Sequence, residues 1–376
     1  MSTTGHISGE FEACLDVQAA EWNRFLEAVP GSHHLQSTLW AELKGPLSWE
    51  ADRVALRRKG AIVAAIQVLH RLVGGCVRVG YAPRGPVFAE ENEQLSGLLI
   101  SELLKLARRK KLGYLTVQPP QIGAGFVPVL LANGFAVAPF EVAPTATVLI
   151  DVQHSAADLL AGMRRSTRRA IHKHDSSQLR VRAGSESDLV TFHALLSATG
   201  QRHGFRPPNL EYFQNMWRLF AASDDIVLFL AEAHGEAVAA ELDVTFGDTL
   251  VTKRAGWSGK FPELHPAVMV IWTALNWARD RGLRYYDMEG FDPVLARLVI
   301  EGAEIPDEGR QSHHWFKYGF GGKMVMLPEN YETVRLSVLG QMYRTTWGRR
   351  LSALLRRWLG GARFQKASST AIRSTR

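Results

Sequence analysis

Several cations in this chain stand where they could bind or polarise an anion. Gln36, Trp40 and Lys44 recur at intervals of four, so a helix would carry them on one face, with the compact ammonium of Lys44 at its end. The segment Tyr81-Ala-Pro-Arg-Gly-Pro is stiff, because both prolines fix φ and Gly85 permits a close turn. It reads as a rigid loop presenting Tyr81 and Arg84 to a pocket. Arg202, Arg206 and Tyr212 flank Pro207-Pro208, which places them at a loop mouth, where ligand contacts concentrate. Phe316-Lys317 couples an aromatic face to an ammonium group. Asp287 and Glu289, at the end of the strand-like GLRYYDMEG, are candidate bases by position. Arg164, Arg165, Arg168, Arg169, His172 and Lys173 fall on successive turns of an expected helix, a face that either meets phosphates or is simply solvated.

The elements that must hold these residues repeat. LRRKGAIVAAIQVL around Gly60 and LAEAHGEAVAAELDV around Gly235 are both hairpin signatures, 175 residues apart. KLARRKKLGYLTV (105–117) and NWARDRGLRYYDM (276–288) both run from the basic end of a helix into a Tyr-bearing strand, 171 residues apart. Near-equal offsets for two different elements imply one duplicated α/β unit, a mixed and mainly antiparallel sheet flanked by helices. Helices are expected at 18–29, 37–44, 93–111, 155–173, 186–202, 209–222 and 264–281. A last strand of the second unit should follow His313. The expected units are 1–147, completed by part of 323–345, and 148–322. No Ser/Gly-rich linker separates them, so they should pack closely.

With 376 residues, 46% hydrophobic and 22% charged, the chain can bury two ordinary cores. Cys14 and Cys76 provide neither a disulfide framework nor a thiolate metal site. The start has no basic-then-apolar leader, and no apolar run is long enough to span a bilayer. A cytoplasmic protein is expected. The net charge of +7 is local: residues 340–376 hold nine Lys and Arg and no acid, which leaves the remainder at −2. In that tail Trp347, Leu351, Leu354, Leu355, Trp358 and Leu359 form an apolar stripe opposite Arg349, Arg350, Arg356 and Arg357. The stripe fits either a helix lying in a membrane interface at the inner face of the membrane or one packed on the first unit.

HLQSTLWAELK (34–44), YAPRGPV (81–87), MRRSTRRAIHK (163–173), TGQRHGF with YF (199–205, 212–213), GLRYYDMEG (282–290) and WFKYGFGG (315–322) occur in one order. Together they resemble the Fem family, the aminoacyl-tRNA-dependent transferases that build peptidoglycan side bridges on two GNAT-like units. The resemblance implies an aminoacyltransferase. Its donor would be aminoacyl-tRNA, and its acceptor an amine of a nucleotide- or lipid-linked peptidoglycan precursor. It further implies that Lys44 and Arg202 hold acceptor phosphates and that Lys317 stabilises the acyl-transfer oxyanion. Phe316 would shape the site for the tRNA end, with Tyr81, Arg84, Arg206 and Tyr212 as further substrate contacts. Where relatives place an acid at the end of the first unit's strand, this chain has Gln118-Pro119, which weakens any base assigned there. The alternative within the same fold is an acyltransferase acting on a small molecule such as an antibiotic intermediate.

No cofactor and no metal are expected. RLVGGC (71–76) and QIGAG (121–125) do not fit the R/Q-x-x-G-x-G/A helix start of acetyl-CoA enzymes, which favours a tRNA-borne donor. His33-His34 and His313-His314 are adjacent pairs, expected to point in different directions on a helix or a strand.

Overall fold

The computed structural model describes residues 4–8, 10–139 and 141–335; the basic tail lies outside the described residues. Chain order begins with β1 (Thr4–Ser8), β2 (Phe11–Cys14), β3 (Glu50–Arg58), β4 (Ala61–Val73), β5 (Val77–Pro83), β6 (Val87–Phe88), β7 (Leu112–Gln118) and β8 (Ala136–Val137). It continues with β9 (Ala146–Asp151), β10 (Leu179–Ala183), β11 (Ile226–Ala233), β12 (Glu236–Phe246), β13 (Thr249–Trp257), β14 (Tyr285–Asp287) and β15 (Lys323–Met326), then β16 (Tyr331–Val334). One sheet runs β1-β2-β3-β4-β5-β7-β16-β8, with β6 on β4. The other runs β10-β11-β12-β13-β14-β9-β15.

The duplication expected from sequence is built as such. In the first unit β3, β4 and β5 pair antiparallel, the helix Glu93–Arg109 crosses over, and β7 returns parallel to β5. In the second, β11, β12 and β13 do the same, followed by the helix Pro266–Asp280 and β14 parallel to β13. Both hairpins turn on a left-handed pair, Lys59-Gly60 (φ 51° and 82°) and His234-Gly235 (φ 51° and 81°), the backbone of a two-residue hairpin turn matched to strand twist.

Helices form at Ala19–Ala28, Thr38–Lys44, Glu93–Arg109, Leu189–His203, Leu210–Ala221 and Pro266–Asp280, close to the expected spans. The expected helix 155–173 is instead two, Ala156–Gly162 and Arg165–His172, because Met163 and Arg164 are extended between them. Met163 is buried there, and the Arg164 N–H donates to the Gly319 carbonyl. Arg168 turns back to the carbonyls of Ala161 and Met163. The exposed basic face is therefore reduced to Arg165, Arg169, His172 and Lys173. His313–Tyr318 is a short helix capped by the Ser312 side chain, and the expected strand begins after it at Lys323.

The two units share a core. Trp40, Leu43, Trp49, Tyr81 and Tyr114 of the first pack in one cluster with Phe192, Phe213, Phe220, Leu228 and Leu242 of the second. The rings of Phe192 and Phe213 meet edge to face, 5.1 Å between centroids. Phe213→Ala opens a void at this seam and should cost about 3–5 kcal/mol. One cooperative denaturant transition shifted to lower midpoint is the expected result; an unchanged midpoint contradicts a shared core.

Candidate active site

Beside that shared core lies a concentration of charge. Ser37 caps the helix Thr38–Lys44 by accepting from the Trp40 N–H. One turn later the Lys44 ammonium lies 4.5 Å from the centroid of the Trp40 ring and 5.3 Å from that of Tyr212, so cation–π contacts hold it between the two units. Gln36 does not share that face. It is fully buried ahead of the helix, where Nε2 donates to the Pro83 carbonyl (2.7 Å) and Oε1 accepts from the Gln67 N–H (2.7 Å). A Cβ at Gly85 would come within 2.8 Å of that amide, so the turn after Arg84 closes on Gln36 only with glycine there. Arg84 itself is 4% exposed, has left-handed φ (52°), and donates one Nη to the Pro144 carbonyl (2.9 Å).

The second unit contributes two cations that the sequence reading missed. Leu242 pairs with Arg254 and Asp243 with Thr252, so Lys253 is the extra residue of a β-bulge. Neighbours on a regular strand face opposite sides; a bulge re-aims one of them. Lys253 turns to the Trp40 ring (5.3 Å) and binds both Glu289 oxygens at 2.7 and 2.8 Å. Arg254 and Arg71 sit close enough to Lys44 that, after burial, they are the largest influences lowering its pKa, to about 8. The available signal was TLVTKRAGW itself: two adjacent cations in an apolar strand need a reason.

Glu289 follows β14 with a left-handed φ of 25°, and Gly290 follows at 85°. Lys317 holds this turn. Its ammonium donates to the carbonyls of Met288, Glu289 and Gly290 at 2.7, 2.8 and 2.9 Å, using all three N–H bonds. Burial brings the Lys317 pKa down to about 8 against the pull of Glu289, Asp287 and Glu241. Burial works to raise the Glu289 pKa, but Lys253 and the other cations overcome it and hold the carboxyl near 2. Asp287 goes the other way: burial raises it, although it accepts from Thr147 and from the Glu289 N–H.

Not every expected contact gathers here. Arg202 is exposed, donates to the Trp257 carbonyl and lies over the Trp257 ring at 5.2 Å, and Arg206 is exposed. Tyr81 does gather here, buried in the shared core within electrostatic reach of Arg84, Glu289 and Tyr212. Phe316 is 38% exposed and meets Phe320 edge to face, while Arg164 lies 4.3 Å from the centroid of the neighbouring Trp315 ring. Gln118 ties backbone together, donating to Pro144 and Pro328 carbonyls at 3.0 and 3.2 Å. The histidine pairs do not point apart. His33 is extended and caps the 3-10 turn that His34 begins, so their rings come to 4.2 Å; those of His313 and His314 come to 3.8 Å.

Two sheets, each a hairpin, a crossover helix and a parallel strand, define a tandem GNAT-like acyltransferase fold. Residues 161–293 match the model of the acetyltransferase (GNAT) domain, and residues 17–126 that of the FemAB family. Over 312 residues the chain is 24% identical to lipid II:glycine glycyltransferase of Staphylococcus aureus (strain MRSA252), covering 79% of this chain and 74% of that protein. The crystal structure of FemX has a TM-score of 0.76 at 19% identity, over 87% of this chain and 98% of that one. A tandem GNAT protein from the clavulanic acid pathway shares the fold, with a TM-score of 0.53 at 10% identity over 86% and 98% of the two chains. The chain is similar to Fem-family proteins across both units, and the GNAT-domain match together with the glycyltransferase relatives supports an acyltransferase.

The Lys253–Glu289 pair is nearly dry, with side chains 6% and 11% exposed. Glu289→Gln strands the lysine and should destabilise the protein by about 3–5 kcal/mol. Because the folded carboxyl is held low, its contribution is complete above the ordinary carboxylate range and is lost as pH falls towards about 2. Denaturant midpoints measured from pH 7 downward should converge for wild type and mutant; parallel curves contradict the assignment.

Proposed function

We propose that this chain transfers an aminoacyl group from tRNA to an amine of a phosphate-bearing peptidoglycan precursor. The observation that carries the reading is a set of buried donors with no hydrogen-bond partner among the described residues: Arg71 Nε, Arg254 Nε and Trp40 Nε1 around Lys44, and Arg84 Nη1 near Glu289. Leaving such groups unmet costs about 1–3 kcal/mol each, more when charged. Cations from both units that share Glu289 as their nearby carboxylate suit the oxygens of a phosphate or pyrophosphate. Arg254 and Arg71 take the part beside Lys44 that the sequence reading gave to Arg202. The relatives named for lipid II:glycine glycyl transfer support a precursor of this kind.

In the reaction the neutral amine adds its electron pair to the ester carbonyl, and the oxyanion collapses to expel the ribose oxygen. Lys317 supplies positive charge beside that carbon, giving up one of its backbone carbonyls to do so. Asp287, whose burial favours the protonated form, is a better proton acceptor than Glu289, which Lys253 keeps ionised. The half-exposed Phe316, next to Lys317, offers a face on which an unpaired base of the donor can stack.

The test is transfer of labelled amino acids from mixed charged tRNAs to nucleotide- and lipid-linked precursors. No transfer from any charged tRNA overturns the reading. Lys317→Ala should lower kcat about 10²–10³-fold, the cost of one oxyanion donor, with the fold checked by circular dichroism. Wild-type kcat should also fall as pH rises through about 8, where Lys317 loses its proton, and Lys317→Arg should remove that fall.

Lys44→Ala and Arg254→Ala should raise the acceptor KM more than they lower kcat, because phosphate contacts bind ground and transition states alike. An effect on kcat alone takes both residues out of phosphate binding.

A further inference from the structure

One cluster in the seam is not used by the proposed reaction. His33, His34 and Glu289 each bring a ligand-type atom within 4.8 Å of the others. His34 is fully buried, and among the described residues neither of its ring nitrogens has a hydrogen-bond partner; Nε2 of His33 is likewise buried and unpartnered there. Two imidazoles with three unmet nitrogens are costly in a folded core unless something meets them.

We propose that His33, His34 and Glu289 form a three-ligand site for a zinc-type transition-metal dication. Two imidazoles and one carboxylate are a donor set for Zn²⁺ or Co²⁺, and the absence of further carboxylates in the cluster disfavours Mg²⁺ and Ca²⁺. Three protein ligands leave a coordination position for water or a substrate oxygen.

The protonation states suit metal binding. Burial, with Arg84 and Lys253 nearby, keeps both imidazoles neutral, while Glu289 is ionised. Bonds of about 2.0–2.2 Å to one tetrahedral ion put ligand atoms about 3.3–3.6 Å apart, so atoms within 4.8 Å of one another must draw together by up to about 1.5 Å on binding. Ligation through His33 Nε2 puts the ring proton on Nδ1 and gives up the long 3.3 Å bond that Nδ1 accepts from the Leu35 N–H.

The opposing influence is charge. Lys253 binds both Glu289 oxygens, so a metal takes one and leaves the other to the ammonium. Arg84 and Arg254 act on the same carboxylate and weaken the site. Lys253 is thus a built-in competitor, and its removal must strengthen metal binding.

Metal-stripped full-length protein is titrated with Zn²⁺ by calorimetry and with Co²⁺ by visible absorption. One equivalent of zinc should bind, and cobalt should show the intense bands of a four-coordinate site. His33→Phe and His34→Phe fill the same volume without a ligand. Each should weaken zinc at least about tenfold, the lower end of what even supporting residues cost. Lys253→Met should tighten it. X-ray absorption of the zinc complex should show two imidazole ligands, a readout that does not depend on any variant folding. Absence of stoichiometric zinc, zinc unaffected by both histidine variants, or fewer than two imidazoles overturns the proposal. So does binding of inorganic phosphate, in place of zinc, that depends on His33 and His34, since the unmet nitrogens would then serve an anion. Metal content is read directly, so these outcomes stand apart from success or failure of the transfer assay.

Discussion

The ion pair between Lys253 and Glu289 fixes the electrostatic balance of the seam between the units. Two unit charges about 4 Å apart attract by about 4 kcal/mol at the effective dielectric of a protein site. Removing each from water costs several kcal/mol, so such a pair is near break-even as a source of stability. Its effect is geometric. It joins the bulge of β13 to the turn after β14 at 2.7 Å, and so places one carboxylate among Lys44, Arg71, Arg84 and Arg254. Without that carboxylate Lys44 and Arg254 would repel one another with less counter-charge nearby; with more carboxylates they would not be free for an anion.

The turn that carries Glu289 is under tension, and so is the one that carries Arg84. Both residues have left-handed backbone, at 25° and 52°, which costs a non-glycine residue about 1–3 kcal/mol. Each is held there by several fixed bonds. Lys317 grips three successive carbonyls of the Glu289 turn, and the Gly85 N–H donates to the Gln118 carbonyl while Arg84 reaches Pro144. Groups locked before substrate arrives need little reorganisation during reaction, which is the condition for strong electrostatic stabilisation.

Much of this was legible from sequence because it rests on local pattern. The hairpins at Gly60 and Gly235, the crossover helices and the Tyr-bearing strands all follow from short-range chemistry, and their spacing exposed the duplication. Trp40 and Lys44 could be put on one helix face for the same reason. What escaped was set by departures from regular backbone. A bulge brought Lys253 into the site, a change from extended to 3-10 backbone stacked His33 on His34, and a break at Met163-Arg164 withdrew Arg164 and Arg168 from the exposed basic face. Arg254 lies beside Lys44 because its strand position faces the seam, which a search for cations near loop mouths does not reveal.

The duplicated units also divide their labour at one equivalent position. The offset of 171 residues that relates the two helix–strand pairs sets Gln118 opposite Glu289, just past the matching strand segments. In the first unit the neutral amide donates to carbonyls of Ala143, Pro144 and Pro328, so it ties the inter-unit segment to the chain that returns to β16. In the second unit a carboxylate at the same point keeps its charge and meets a buried lysine. An acid at 118 would have faced carbonyl oxygens and repelled them; an amide at 289 would have left Lys253 unpaired. Each strand end therefore requires the side chain it has. The consequence is that the first unit braces the seam at this position while the second arms it.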